Sequence, residues 1–137
     1  MNDMLDFNQQ VITEFRENAG KVGGMFEGAP MLLLTTIGSK TGQQRTTPLV
    51  YLADSDRYII FASKGGAPED PSWFNNIVAN GDIAIEVGTE KFPVSAEITS
   101  GAERDELYAR QESIMPGFTE YREKAGRVIP VVALTRK

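Results

Sequence analysis

The chain has 137 residues, 41% hydrophobic and 24% charged, with a formal net charge of −5 and neither cysteine nor histidine. That length supports one domain with a real core, and the acidic balance argues against bulk attraction to nucleic acid. The missing residue types exclude disulfides, thiolate zinc sites, cysteine nucleophiles and any Ser-His or Cys-His relay, which leaves Asp, Glu, Lys, Tyr or solvent for proton transfer.

Met4, Phe7, Val11, Ile12 and Phe15 recur at helical spacing and predict a helix over residues 4–18 with one apolar face. Gly20, Gly23, Gly24, Gly28 and Pro30 then break the pattern. Residues 1–28 therefore read as a mobile helix and glycine-rich tether at the start of a single domain, 1–137. Residues 31–37 form an unbroken apolar and β-branched run, a strand. Residues 46–52 alternate less cleanly, and Pro48 suggests a sheet edge. Asp54-Ser55-Asp56 is a turn, and residues 58–62 are a short apolar strand. Asp70-Pro71 places a cap before a proline at the first helical position. The helix that follows turns Trp73, Ile77 and Val78 one way and ends at Asn80-Gly81. Ile83, Ile85 and Val87 alternate with polar or small residues, as do Phe92, Val94, Ala96 and Ile98, giving a hairpin through Gly88-Thr89-Glu90. Ser100 and Glu103 fit a capping box for a helix through Arg110. Pro116 opens a shorter helix bearing Phe118 and Tyr121, and residues 128–134 form the last strand. Hairpin-linked strands outnumber crossover units, so an antiparallel sheet or small barrel with helices, an α+β fold, is expected. No apolar run reaches membrane-spanning length and the start lacks a signal-peptide pattern, so a cytoplasmic location is the default expectation.

Two loops follow apolar strands and carry glycine, hydroxyl and cation together. The first is Gly38-Ser39-Lys40-Thr41-Gly42-Gln43-Gln44-Arg45; the second is Ala62-Ser63-Lys64-Gly65-Gly66-Ala67-Pro68. Glycine-rich loops expose backbone N–H groups that bind anions, and arginine adds a forked donor for phosphate or carboxylate. On spacing alone the first loop reads rather as a hairpin with solvated charges, and the second is open to reading as a turn. Together they point to a phosphate-bearing ligand with a flat ring, which the paired glycines let the backbone approach closely. The P-loop pattern is absent. Trp73 reads as core or as a cofactor wall, Phe118 and Tyr121 as helix packing or a substrate cavity, and the carboxylates offer no catalytic pair.

The run from Leu33 through Gly38 and Arg45 to Tyr51 resembles the deazaflavin-dependent nitroreductase family, including its quinone reductase-like members. So do Ala62–Pro68, Pro71-Ser72-Trp73-Phe74-Asn75-Asn76 and Arg127-Val128-Ile129-Pro130-Val131-Val132. The resemblance implies a split β-barrel, FMN-binding split-barrel-like, of six mostly antiparallel strands with three to four helices. It implies binding of coenzyme F420 in its reduced form and hydride transfer to a quinone, enone or nitroaromatic. By that resemblance Lys40 and Arg45 hold the phosphate and acidic tail, with Ser39, Thr41 and Gly42 supplying loop contacts. Ala62, Ser63, Lys64, Gly65 and Gly66 lie along the ring and ribityl chain, with Trp73 and Asn76 near it, and Thr47, Pro48 and Leu49 are further cofactor-binding residues. Met115, Phe118 and Tyr121 stand where the family places its substrate aromatics, and Ser63 and Tyr121 are the candidates to polarise the acceptor oxygen. Two other readings stay open: the same barrel holding FMN or haem, and a deazaflavin or lipid carrier without turnover. The resemblance also allows a homodimer. Membrane contact through Met4, Leu5, Phe7 and Phe15 is disfavoured, because Asp3, Asp6, Glu14 and Glu17 would meet anionic lipid.

Overall fold

Residues 31–37 lack the alternation of a one-faced strand because both of their faces are buried. The computed structural model describes residues 3–137; the side chains of residues 3–6 and of Met25, and so the expected contributions of Met4 and Leu5, lie outside the described residues. The strands are β1 (Met31–Ile37), β2 (Gln44–Val50), β3 (Leu52–Asp54), β4 (Arg57–Phe61), β5 (Ile83–Val87), β6 (Glu90–Ile98) and β7 (Val131–Arg136). The helices are α1 (Asp3–Glu17), α2 (Ser72–Ala79), α3 (Gly101–Ile114) and α4 (Gly117–Ala125). All pairings are antiparallel, in the order β2-β1-β5-β6-β7-β4-β3.

Chain reach shows that this sheet curls into a barrel. β2 and β3 stand at opposite ends of the strand order, yet only Tyr51 separates them. One residue spans at most about 7 Å between its neighbours' Cα atoms, so the two edges must approach there. β2 and β3 are thus two arms of one bent strand, and the expected six-stranded split barrel is present. Above that junction the barrel is open. Among the described residues β2 pairs only with β1, and Ile60 and Phe61 of β4 pair only with β7. The outer position of β2 accommodates Pro48, which has no N–H to give.

Leu32, Leu34, Ile60, Ile85, Phe92, Val94, Val132 and Leu134 point inward, and Trp73 and Ile77 of α2 plug one end. On the outside, Val11, Ile12 and Phe15 of α1 cover Met31 and Leu33. On another outer face, α3 and α4 cover Ile59, Phe61, Val131 and Ala133 with Leu107, Tyr108 and Phe118. The segment read as a mobile helix is therefore docked in this structure: Phe15 is 1% exposed, and Arg16 forms a two-pronged pair with Glu86 on β5. Its tether passes so close to the β5–β6 turn that a Cβ on Gly20 would lie 2.8 Å from the Gly88 Cα.

Four local expectations are corrected. Pro71 is the cap rather than the first helical residue of α2, because the Asp70 carboxylate is taken by Arg127. Val78 is 62% exposed, and Asn76 takes its expected place on the buried face. Ser100 caps α3 without a side-chain hydrogen bond, and the helix runs on to Ile114. The last strand begins at Val131 rather than residue 128, since Pro130 has no N–H for a ladder.

Candidate functional site

Both cation-bearing loops lie at the end of the barrel plugged by α2. β1 and β4 run parallel through the antiparallel chain of pairings, so the loops that leave them emerge together. The first loop is closed by hydrogen bonds from the Gly38 N–H to the Gln43 carbonyl (2.7 Å) and from the Gly42 N–H to the Gly38 carbonyl (2.9 Å). A Cβ on Gly38 would stand 2.6 Å from the Thr41 hydroxyl oxygen, so a side chain there would force that hydroxyl to shift. That hydroxyl accepts from the Gln43 N–H. Gly42 supplies the left-handed backbone (φ 71°) that turns the chain into β2.

α2 fixes this loop through Asn76. Its Oδ1 accepts the Ser39 N–H at 2.9 Å, and its Nδ2 donates to the buried Thr36 hydroxyl at 3.1 Å. Arg45 lies directly opposite Thr36 in the β1–β2 register and so shares its face, as Thr47 and Leu49 share the inward face with Leu34 and Leu32. Pro48, opposite Leu33, turns outward instead. Ser39, Lys40, Thr41, Arg45, Thr47, Trp73 and Asn76 line one cleft of about 690 Å³. Gln9 and Arg16 of α1 line it as well, as do Ser72 and Asn75. Sequence reasoning assigned none of these four.

The charge arrangement distinguishes this cleft. Arg16, Arg57, Arg104, Arg110, Arg122, Arg127 and Arg136 each have an acidic partner. Among the described residues Arg45 has none, and neither does Lys40, its neighbour in the cleft. The N–H groups of Lys40 and Thr41 have no acceptor among the described residues. In a chain of net charge −5, two cations without acidic partners among the described residues thus line the same cleft as two free amides. A larger cavity, about 1020 Å³, opens near the opposite end of the barrel around Lys21, Glu27 and Tyr51. Burial raises the Tyr51 pKa there. That cavity carries one lysine against Glu14 and Glu27, and Glu14 is engaged by the Gly23 N–H.

The second loop is held by a residue whose role the sequence does not signal. Arg127 donates from Nη2 to the Ala62 and Glu69 carbonyls (3.0 and 2.8 Å), from Nε to the Ala67 carbonyl (3.2 Å), and from Nη1 to the Asp70 carboxylate (2.7 Å). It staples both ends of the loop. Within the staple, Lys64, Gly65 and Gly66 all have positive φ, and the N–H groups of Ser63, Lys64 and Gly65 have no acceptor among the described residues. Ser63 is 8% exposed with no partner for its hydroxyl among the described residues, while Lys64 pairs with Glu69. A Cβ on Gly66 would lie 3.2 Å from the Tyr121 Cα, so α4 packs directly on this loop.

The expected substrate aromatics are brought together but are not equivalent. Phe118 is buried between Phe61 (5.6 Å between ring centres) and Tyr108 (6.2 Å), with Tyr121 against it at 5.1 Å. Met115 and Tyr121 are half-buried, and the Met115 sulfur accepts from Gln111 Nε2. The buried Tyr108 hydroxyl donates to the Phe118 carbonyl at 2.7 Å, and burial pushes its pKa up to about 12. Among the described residues no cluster of acidic residues could hold a metal ion, and no helix is long and apolar enough to cross a membrane.

Comparison with known proteins gives a consistent result. Residues 8–136 match the F420H(2)-dependent quinone reductase family. An F420H(2)-dependent quinone reductase of Mycobacterium tuberculosis is 43% identical over 129 residues, covering 90% of this chain and 85% of that protein. The structure of an F420-H2-dependent reductase superposes with a TM-score of 0.69 at 35% identity, covering 77% of this chain and 93% of the other. A structure described as a domain-swapped dimer superposes with a TM-score of 0.71 at 31% identity, covering 96% and 97%.

Proposed function

The chain belongs to the F420H(2)-dependent quinone reductase family, oxidoreductases that take coenzyme F420 in its reduced form, and from that premise we propose how its own residues serve the reaction. The observation that carries the reading is the pair of uncommitted cations, Lys40 and Arg45, in the cleft between the first loop and α2. They fit the phosphate and the carboxylate tail of the cofactor, with the free amides of Lys40 and Thr41 as added donors. Ser39 and Gly42 shape the loop, Asn76 positions it, and Trp73 forms the floor.

The open seam between β2 and the upper part of β4 fits the planar head. Thr47 and Leu49 border it on one side, with Pro48 between them turned outward, and Ala62–Gly66 border it on the other. The free amides of Ser63, Lys64 and Gly65 suit the polar edge of the ring, and the glycines admit it to the backbone. When bound, the reduced deazaflavin supplies a hydride from ring carbon 5 in a two-electron step.

The acceptor lies beside Tyr121, with Met115 flanking and Phe118 backing the tyrosine ring. The Tyr121 and Ser63 hydroxyls donate hydrogen bonds to the acceptor oxygen, and water delivers the proton after transfer. A quinone is the acceptor class we assign, since its planar ring suits this aromatic wall. Two chains pair as a homodimer, a reading supported by the dimeric solved structure at 31% identity. Anaerobic mixing with reduced F420 and a panel of quinones, enones and nitroaromatics tests the reading. Oxidation of the cofactor is expected with quinones. Tight binding without oxidation by any acceptor would favour a carrier instead.

A further inference from the structure

Arg16 lines the same cleft as Lys40 and Arg45, but from α1, and it differs from them in having a partner. Its Nε and Nη2 donate to the two oxygens of Glu86 at 3.1 and 2.9 Å. The arginine side chain is 51% exposed, whereas Glu86 is 14% exposed. The pair is therefore lopsided: the guanidinium faces solvent and cleft, and the carboxylate stays against β5. A forked pair of this geometry is also the one a free carboxylate or phosphate offers. An anion entering the cleft competes with Glu86 for the same donors.

We propose that Arg16 is a third cation of the cofactor cleft, held in reserve by Glu86 and recruited by the distal carboxylates of a long acidic tail. This rests on the reading that the cleft holds that tail. Lys40 and Arg45 meet the first charges, and only a ligand that continues past them reaches α1. Arg16 then sets the preference for tail length, and α1 becomes a wall of the cofactor site as well as a cover for β1. Glu86 opposes tail binding twice, by occupying Arg16 and by its own charge.

The two partners predict opposite signs, which a purely structural pair would not. Fluorescence titrations at low salt would compare F420 carrying a single glutamyl residue, F420 carrying a long oligoglutamate tail, and the deazaflavin without a tail. Arg16→Gln is expected to weaken the long-tailed form about threefold to tenfold and leave the other two unchanged. Glu86→Gln is expected to tighten the long-tailed form by about threefold. If both substitutions weaken binding together, or neither alters the ratio between long and short tails, Arg16 only fastens α1 and the proposal is overturned. Arg45→Ala in the same titrations separates the two levels. If it weakens both tailed forms while the Arg16 and Glu86 variants do nothing, only the recruitment of Arg16 fails. If it too does nothing, the cleft is not the tail site and both readings fall.

Discussion

At Arg45 a single side chain carries much of the account. It is exposed, sits opposite Thr36 at the barrel mouth, and has no acidic partner among the described residues. Arg45→Ala is expected to weaken F420 binding about tenfold at low salt and less at high salt, checked by fluorescence titration across ionic strength. A salt-independent loss would point to a packing role. Arg127 is a different case. Replacing it with Gln leaves the Asp70 carboxylate and several loop carbonyls without their donor. Cofactor affinity should fall by roughly tenfold together with faster amide exchange in residues 62–70, and Arg127→Lys should restore little, because an ammonium cannot span the fork. Lys40, Arg45 and the glycine loops were legible because their chemistry is local in sequence. Arg127 was not: its partners lie 57 to 65 residues away. Asn76 showed the same limit. Its polarity masked a buried position that only its bonds to Ser39 and Thr36 explain.

Among the elements, α1 shows where pattern reading succeeds and where it stops. The spacing of Val11, Ile12 and Phe15 gave the helix and its apolar face, but could not say what that face meets. The glycines after it read as a tether, whereas Gly20 serves a close approach to Gly88. Since Phe15 is fully buried against β1, Phe15→Ala is expected to cost about 3 kcal/mol, read as a lowered midpoint in urea. An unchanged midpoint would mean that α1 is a loose appendage. The strands were legible to within a residue or two wherever one face is buried, as in β5 and β6. The β2–β3 strand was harder, because its two arms pair with different ends of the sheet and no local pattern encodes that switch. The start of α2 was displaced for a related reason: Asp70 looked like a cap and was claimed by an arginine far along the chain.

For the whole molecule, the alternation pattern and the hairpin turns specify an antiparallel barrel, and the barrel specifies the site. Closure at Tyr51 joins the sheet edges, the seam above it stays open, and both loops are delivered to that opening. Stability should follow the same packing. Burial pushes the Tyr108 hydroxyl up from an ordinary 10.0 to about 12 in the fold. The unfolded chain therefore loses this proton first as pH rises. The contribution is intact below pH 10 and drains away between about pH 10 and 12. Urea midpoints across that range should fall, and fall less steeply in Tyr108→Phe. The most direct measurement of the central claim is a crystal structure with F420 bound. The account predicts the phosphate and first carboxylate against Lys40 and Arg45, with the ring in the seam between Leu49 and Ala62–Gly66. Cofactor in the opposite cavity around Lys21 and Tyr51, with the cleft at α2 vacant, would contradict it.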